Sequence, residues 1–173
     1  MSSIEARLRR LEEVEAVRKT MYRAARSLDK LIATGQLADA ERFVESCVTK
    51  DGVWDTCLFG RVERDNLADV LHQKMVVEGQ TTWAVHYYIN EEVEVNDDQD
   101  VARFHALELV PCNSGAKATW LFFENDTQLR KVEGEWKIAL FQLYQAASRA
   151  NCAEDWPAVE KDPKSWMFMD GKC

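Results

Sequence analysis

The sequence predicts an α+β domain in which a curved, mainly antiparallel sheet wraps N-terminal helices. Three observations support this: helical spacing is confined to residues 1–78, strand patterns fill residues 81–148, and no repeat, linker or low-complexity segment interrupts the chain. Helices followed by a run of strands are typical of α+β folds. The 173 residues, 46% of them hydrophobic, are enough for a single domain with a sizeable core.

Three helices and one strand are predicted in the first part of the chain. Apolar residues recur at intervals of three and four over residues 4–30, which indicates a long amphipathic helix. Shorter helical patterns cover residues 37–45 and 64–77, and a strand is predicted between them at residues 52–58. These elements precede the main run of strands.

Four strands are predicted after Gly79, because aromatic and β-branched residues become frequent there. They cover residues 81–95, 101–110, 117–132 and 134–148. Residues 111–115, which include a proline and a glycine, are predicted as a loop, and Glu133–Gly134 as a tight turn. A curved sheet against a long helix leaves a concave space, where ligands often bind. The aromatic segment 149–173 is expected to cover that pocket.

Charge and composition make several classes of function improbable. The formal net charge of −8 repels phosphate backbones and anionic lipids, so we expect neither a nucleic-acid nor a membrane partner. The highly charged first 19 residues are unlike a signal peptide, and no apolar run is long enough to span a bilayer. Five cysteines without CxxC spacing indicate free thiols in a reducing compartment and no zinc site. We therefore expect a soluble cytoplasmic protein.

Asp29, His86 and His105 are the candidate catalytic residues. Asp29 lies near the end of the first predicted helix, where a negative charge opposes the helix dipole. By strand alternation His86 shares a face with Ala84, Tyr88 and Asn90, and His105 shares one with Arg103, Leu107 and Leu109. In a purely structural interpretation, Asp29 binds loop amides and each strand histidine is a satisfied core residue.

The catalytic interpretation is an Asp-His dyad. A carboxylate that accepts a hydrogen bond from one imidazole nitrogen fixes the tautomer and stabilises the imidazolium formed by proton abstraction. Histidine suits this task because its ordinary pKa is about 6.5. Since a dyad requires neither a nucleophile nor a metal, it is suited to eliminations and enolisations.

Three segments resemble the SnoaL-like branch of the nuclear transport factor 2-like superfamily. Residues 10–30 resemble the opening helix of that branch, which ends in an aspartate, here Asp29. HYYIN resembles its H-x-x-x-N pattern with His86 and Asn90, and GEWKIALFQ resembles its last strand. The similarity covers residues 5–148. It implies a cone-shaped, cystatin-like barrel in which a strongly curved mixed sheet wraps the helices.

Within that branch the site is most similar to the scytalone dehydratase family, and it is also similar to lindane dehydrochlorinases and bile-acid 7α-dehydratases. The resemblance implies that Asp29, His86 and His105 are catalytic and that Asn125, nine residues before Gly134, lines the pocket. Two water-binding tyrosines of the dehydratases are replaced here by Trp54 and Leu28, so their phenolic substrate is not implied. The substrate-binding residues expected here are Tyr22, Trp54, Tyr88 and Asn125.

The resemblance implies a cofactor-independent lyase of the dehydratase type. Its substrate would be a small or medium hydrophobic metabolite with a carbonyl group, of polyketide, aromatic or steroid-like character. Two alternatives stay open: an isomerase, cyclase or dehydrohalogenase that uses the same dyad, and a non-catalytic binding or structural subunit of the same fold. A homodimer or homotrimer is expected, with no cofactor and no metal.

Overall fold

The computed structural model describes residues 4–114, 117–145 and 150–151. Its helices are α1 at Ile4–Thr34, α2 at Leu37–Cys47 and α3 at Arg64–Leu71. All three predicted helices are present, and α1 continues four residues beyond its predicted end. A π-helical turn, His72–Glu78, extends α3 and closes with a hydrogen bond from Gly79 N to Lys74 O.

One sheet contains all of the described strands. They are β1 Val48–Thr56, β2 Gly60–Glu63, β3 Trp83–Ala84, β4 Tyr87–Val95, β5 Val101–Ser114, β6 Lys117–Val132, β7 Glu135–Gln145 and β8 Ala150–Asn151. The order is β2-β1-β7-β6-β5, after which β3 and β4 both pair with β5, and β8 pairs with β6. Among these described pairs β1–β7 is parallel and the others are antiparallel. The α+β fold predicted from the sequence, with a strongly curved, mixed and mainly antiparallel sheet wrapped around N-terminal helices, is therefore confirmed, and the sheet forms a half-barrel.

Strand β5 extends through residues that were predicted as a loop. Pro111 pairs with Trp120 of β6, and its carbonyl accepts a hydrogen bond from Val85 N. A proline lacks only the N–H, so its carbonyl can still take part in pairing. The loop prediction was wrong for residues 111–114 because long-range pairing on both sides of β5 outweighs the local turn signal. Strand β2 was not predicted at all, and β1 begins four residues earlier than expected.

The predicted strand 81–95 is divided and carries a bulge. Ala84 pairs with Cys112 and Tyr87 with Leu109, so the register is continuous across the short link between β3 and β4. The register then shifts between Ile89 and Glu92, and Asn90 in that bulge has a φ of 55°. A bulge reverses the face on which the following residues lie. Asn90 is consequently exposed. Strand alternation had predicted that it shares a face with His86, and the bulge makes that prediction wrong.

The core lies between α1, α2 and the concave face of the sheet. Helix α1 contributes seven buried apolar side chains along one stripe, and the sheet contributes inward side chains such as Phe104, Leu129 and Ile138. Even-numbered residues of β5 face this core from Ala102 to Cys112, while odd-numbered ones face outward. Because β5 is the long central strand, this alternation decides which of its polar residues can reach an internal site.

The remaining sequence-based expectations concern the C-terminal segment, the cysteines, membrane spans, the oligomeric state and the location. Most of the segment 149–173, expected to cover the pocket, lies outside the described residues. Cys47 and Cys57 are free thiols. Within the described part of the chain, none of the helices combines the length and apolar character needed to cross a bilayer. The homodimer or homotrimer and the cytoplasmic location stay predictions.

Candidate active site

Asp29 and His86 meet where α1 crosses the start of the β3–β4 segment. Asp29 Oδ1 lies 2.6 Å from His86 Nδ1 and also accepts a hydrogen bond from the backbone N of His86 at 3.2 Å. The His86 side chain is 7% exposed and that of Asp29 is 23% exposed. With Nδ1 bound to the carboxylate, Nε2 is the nitrogen that can exchange a proton with a ligand. The structure thus brings together the two residues proposed as a dyad.

The surroundings of His86 favour its protonated form. Burial has the largest effect and lowers the pKa of His86, because the charged ring loses hydration. The hydrogen bond to Asp29 and the negative charges of Glu108 and Asp29 act in the opposite direction and together outweigh burial. The pKa of His86 is therefore raised above its ordinary value, which makes the ring a stronger base.

Glu108 is a site residue that was not predicted from the sequence. It lies on the inner face of β5, is 2% exposed, and accepts a hydrogen bond from Asn125 Nδ2 at 2.6 Å. Burial raises the pKa of Glu108, and Asp29 adds to this, while His86 and the Asn125 bond lower it; the net direction is upward. The sequence contained a signal: Glu108 is the single charged residue on the apolar stripe Ala102, Phe104, Ala106, Glu108, Val110.

Asn125 is the hydrogen-bond partner of the Glu108 carboxyl group. It is completely buried on β6, and its Oδ1 accepts a hydrogen bond from Thr127 Oγ1 at 2.7 Å. The amide therefore connects the Thr127 hydroxyl to Glu108 in a short polar chain across β5 and β6. Buried polar groups of this kind must be paired, because an unpaired one loses hydration without compensation. The structure places Asn125 beside Glu108, on the inner face of the sheet.

Two tyrosines, Tyr22 and Tyr88, lie next to the dyad. Their rings stack with centroids 6.3 Å apart, and Tyr88 pairs with Glu108 across the β4–β5 ladder. Tyr22 Oη donates to both carboxylate oxygens of Glu91, at 2.6 and 2.8 Å, and Arg18 lies 3.4 Å from the same carboxylate. The Glu91 bond and burial raise the pKa of Tyr22 to about 12. Glu91 was not foreseen, because the bulge turns it to this side.

Two predicted site residues are placed elsewhere. His105 lies on the outward face of β5, where its side chain is 36% exposed and its Nε2 is 3.7 Å from Glu124 Oε1. It therefore does not share a face with His86, and the sheet separates the two rings. Trp54 is buried in the core, stacked on Phe141 with centroids 3.7 Å apart and edge-on to Phe43. Arg103, which shares the outward face with His105, forms an ion pair with Asp126.

Open grooves occur away from the dyad. One of about 590 Å³ lies where β4 ends and β5 begins, beside Arg10, and another of about 560 Å³ lies between α1 and the β6–β7 turn. Neither is lined by Asp29, His86 or Glu108. Across residues 4–114, 117–145 and 150–151, no three His, Cys, Asp or Glu side chains converge to hold a metal ion. The polar groups around the dyad include the carboxyl groups of Asp29 and Glu108, the imidazole of His86 and the amide of Asn125.

Solved structures share this fold at low sequence identity. A candidate scytalone dehydratase from Novosphingobium aromaticivorans DSM 12444 is 17% identical with a TM-score of 0.67, over 83% of this chain and 90% of that chain. An NTF2-like protein with a cystatin-like fold from Novosphingobium aromaticivorans is 22% identical with a TM-score of 0.62, over 86% and 93%. Hexachlorocyclohexane dehydrochlorinase LinA-type3 from Novosphingobium barchaimii LL02 is 16% identical with a TM-score of 0.64, over 87% and 95%.

No curated protein matches this sequence at a significant level. The structural similarities establish the fold alone. Sequence identities this low say nothing of a shared reaction. The SnoaL-like domain, in contrast, matches the sequence itself over residues 9–142, which is more than half of the chain. The chain belongs to the SnoaL-like domain family.

Proposed function

We propose that this protein is a cofactor-independent lyase that eliminates water or another small leaving group from a hydrophobic carbonyl compound. The observation that carries the proposal is the 2.6 Å contact between Asp29 Oδ1 and His86 Nδ1 in a nearly buried position. A carboxylate in that position holds the imidazole in the tautomer whose Nε2 accepts a proton.

In the proposed reaction His86 Nε2 removes a proton from the carbon next to the carbonyl group. The negative charge of Asp29 stabilises the imidazolium that results, and the raised pKa of His86 increases its strength as a base. General-base catalysis of this kind contributes about 10²–10⁴-fold to a rate. The electrons of the broken C–H bond form the new double bond as the leaving group departs from the β-carbon.

Two further points support the proposal: the first favours an elimination, and the second favours an enzyme over a binding protein. Two of the proteins with the same fold carry names of elimination enzymes, a scytalone dehydratase and a hexachlorocyclohexane dehydrochlorinase. A protein that only binds a ligand or a partner needs no carboxylate placed against an imidazole in this way. Isomerisation and cyclisation begin with the same proton abstraction, and product analysis separates them from elimination.

A chromogenic β-aryloxy ketone provides the test. We expect the protein to convert 4-(4-nitrophenoxy)butan-2-one to butenone and 4-nitrophenol faster than the same concentration of free imidazole does. His86→Gln should abolish this excess rate, whereas Ser27→Ala should retain it. Ser27 is a suitable control because its hydroxyl donates to the carbonyl of Arg23 on the exposed side of α1.

Two results would overturn the proposal. One is a wild-type rate no higher than that of free imidazole. The other is a rate that folded His86→Gln protein retains, because the imidazole would then not be the base. Far-ultraviolet circular dichroism of each variant establishes that it is folded before rates are compared.

A further inference from the structure

The buried carboxyl group of Glu108 has no role in the proton abstraction described above. Its hydrogen-bond partner is the neutral amide of Asn125, and within the described residues no lysine or arginine forms an ion pair with it. His86 must be neutral to act as the base, so in the reactive state it offers Glu108 no positive charge, and a buried carboxyl group without a cation keeps its proton. Glu108 is therefore placed to carry a proton into the interior of the sheet.

Glu108 and the dyad occupy the same inner surface. The continuous register of β3 and β4 against β5 puts His86 opposite Val110, and Tyr88 opposite Glu108. His86 and Glu108 are thus diagonal neighbours on adjacent strands, a relation in which side chains remain within reach of a common ligand. Ionisation of either group shifts the pKa of the other, and Asp29 shifts the pKa of both.

The polar chain behind Glu108 fixes which of its oxygens is free. Thr127 Oγ1 donates to Asn125 Oδ1, which turns the amide nitrogen of Asn125 toward Glu108. Asn125 Nδ2 then donates to Glu108 Oε2. Since Oε2 accepts this bond, the acidic proton resides on Oε1, which the Asn125 amide does not engage. The group is held in one orientation, with Oε1 outside the Asn125 bond.

We propose that Glu108 is the general acid that protonates the departing atom, and that the site is therefore built for an oxygen leaving group, a β-hydroxyl or β-ether, rather than a halide. This inference rests on the elimination proposed above. Chloride is a stable anion and leaves without a proton. Hydroxide and alkoxides are strong bases, so breaking a C–O bond requires a proton donor at the oxygen.

The proton and electron balance of the step is complete. His86 Nε2 takes the proton from the α-carbon, and that electron pair becomes the C=C bond. The C–O bond breaks, and the oxygen keeps its electron pair and takes the proton of Glu108. The products are an enone and an alcohol or water, with His86 as imidazolium and Glu108 as carboxylate. Transfer of one proton from the imidazolium to the carboxylate, through a released or entering water, restores the starting state.

Two leaving groups of different acidity test this role. The probes are 4-(4-nitrophenoxy)butan-2-one, whose nitrophenolate leaves without help, and 4-phenoxybutan-2-one, whose phenolate is a far stronger base. Glu108→Gln keeps the shape of the side chain, and its carbonyl can still accept the bond from Asn125, but it has no acidic proton. Glu124→Gln on the outward face of β6, where the side chain is 56% exposed, is the matched control.

We expect Glu108→Gln to lower kcat for the phenoxy probe by about 10²–10³-fold, in the range of general acid catalysis, and for the nitrophenoxy probe by about 3-fold or less. Equal losses on both probes would mean that Glu108 only maintains the structure, and unchanged rates on both would mean that it has no role; either result overturns the inference. Loss of the nitrophenoxy reaction in His86→Gln tests the dyad separately, so the two proposals fail in different experiments.

A measurement on the unaltered protein covers the case in which Glu108→Gln does not fold. Carboxyl ¹³C NMR of the glutamate-labelled protein should show one glutamic acid that remains protonated at pH values where the other glutamates have ionised. Glu108→Asp, whose new side chain carries no label, identifies this signal by its disappearance. A spectrum in which all glutamates ionise over the same pH range would overturn the inference.

Discussion

One oxygen of Asp29 binds both the ring and the backbone of His86. Oδ1 lies 2.6 Å from Nδ1 and 3.2 Å from the backbone N of the same residue. Because His86 lies in the short link between the paired residues Ala84 and Tyr87, its backbone amide has little freedom, and the carboxylate cannot turn away from the ring without breaking both bonds. The ring orientation is thus set jointly by α1 and by the strand segment that carries His86.

Asp29→Asn should separate the charge of this contact from its shape. The amide oxygen can still accept the backbone bond of His86, but the negative charge that stabilises the imidazolium is lost. We expect kcat for 4-(4-nitrophenoxy)butan-2-one to fall by about 10²–10⁴-fold, as expected for loss of an effective general base. The free energy of unfolding, measured with urea, should fall by about 1 kcal/mol, the scale of one hydrogen bond. Turnover equal to wild type would contradict the dyad.

The pH dependence of kcat/KM should follow the deprotonation of His86. The base must be neutral before it can accept a proton, so the rate rises with pH through the pKa of the ring. That pKa lies above its ordinary value of 6.5 in the wild type, because the Asp29 bond and the nearby negative charges outweigh burial. In Asp29→Asn the midpoint should move to lower pH. A wild-type midpoint below 6.5 would mean that burial, and not the Asp29 bond, dominates the pKa of the ring.

The raised pKa of His86 also makes the stability of the fold depend on pH. A histidine whose pKa is higher in the folded state stabilises the fold fully below its unfolded-state pKa, and that contribution disappears as pH rises through the folded value. Urea titrations of wild type and His86→Gln should therefore differ most at acidic pH. The difference should shrink as pH rises above 6.5.

Much of the fold could be predicted because local patterns and topology agree. The helical spacing of α1 and the tight turn before β7 are both local features, and the order of helices and strands restricts the topology. The contact between Asp29 and His86 follows less directly, since it depends on where α1 crosses the sheet. Strand alternation up to Tyr88 gave the correct inner face for His86 because the register there is unbroken.

The missed features depend mainly on properties that local patterns do not contain. Glu91 faces Tyr22 because of the bulge at Asn90, and no residue type in that segment requires a bulge. Glu108 is an exception, since a lone carboxyl group on the apolar side of β5 is an unusual choice and could have been recognised. The sequence pattern pointed to His105 on the same strand, but the two residues lie on opposite faces.

His105→Asn tests that assignment of faces. The ring lies on the outward side of β5 near Glu124, and exposed surface substitutions change free energies by about 0.5 kcal/mol or less. We expect kcat and KM for both aryloxy ketones to stay within about 2-fold of wild type, whereas His86→Gln loses the activity. A loss in His105→Asn comparable to that in His86→Gln would require the ring to act from the outer face.

Tyr22→Phe should weaken the layer between α1 and the bulge. The variant removes the hydroxyl that donates to both oxygens of Glu91, a hydrogen bond to a charged group worth about 1.5–3 kcal/mol. Glu91 keeps Arg18 as a partner, so we expect a loss in the lower part of that range in urea unfolding. The control is Tyr144→Phe, whose side chain is exposed.

The raised pKa of Tyr22 gives a second measurement on the same residue. Since its phenol titrates at about 12 in the folded protein, it should remain neutral in a spectroscopic titration at a pH of about 10, where the phenol of free tyrosine ionises. The stabilisation that depends on the neutral phenol is present below a pH of about 10 and is lost as pH rises through 12. Equal stability of Tyr22→Phe and wild type at neutral pH would contradict the role of the Glu91 bond.

Trp54→Phe distinguishes a core residue from a substrate contact. Trp54 is buried against Phe141 and Phe43, so the smaller ring should leave unfilled space and reduce the stacked area. We expect the free energy of unfolding to fall by about 1–3 kcal/mol, typical of core substitutions, with KM for the nitrophenoxy probe within about 2-fold of wild type. A KM that rises many-fold while stability is unchanged would instead place the indole against the substrate, as the sequence resemblance implied.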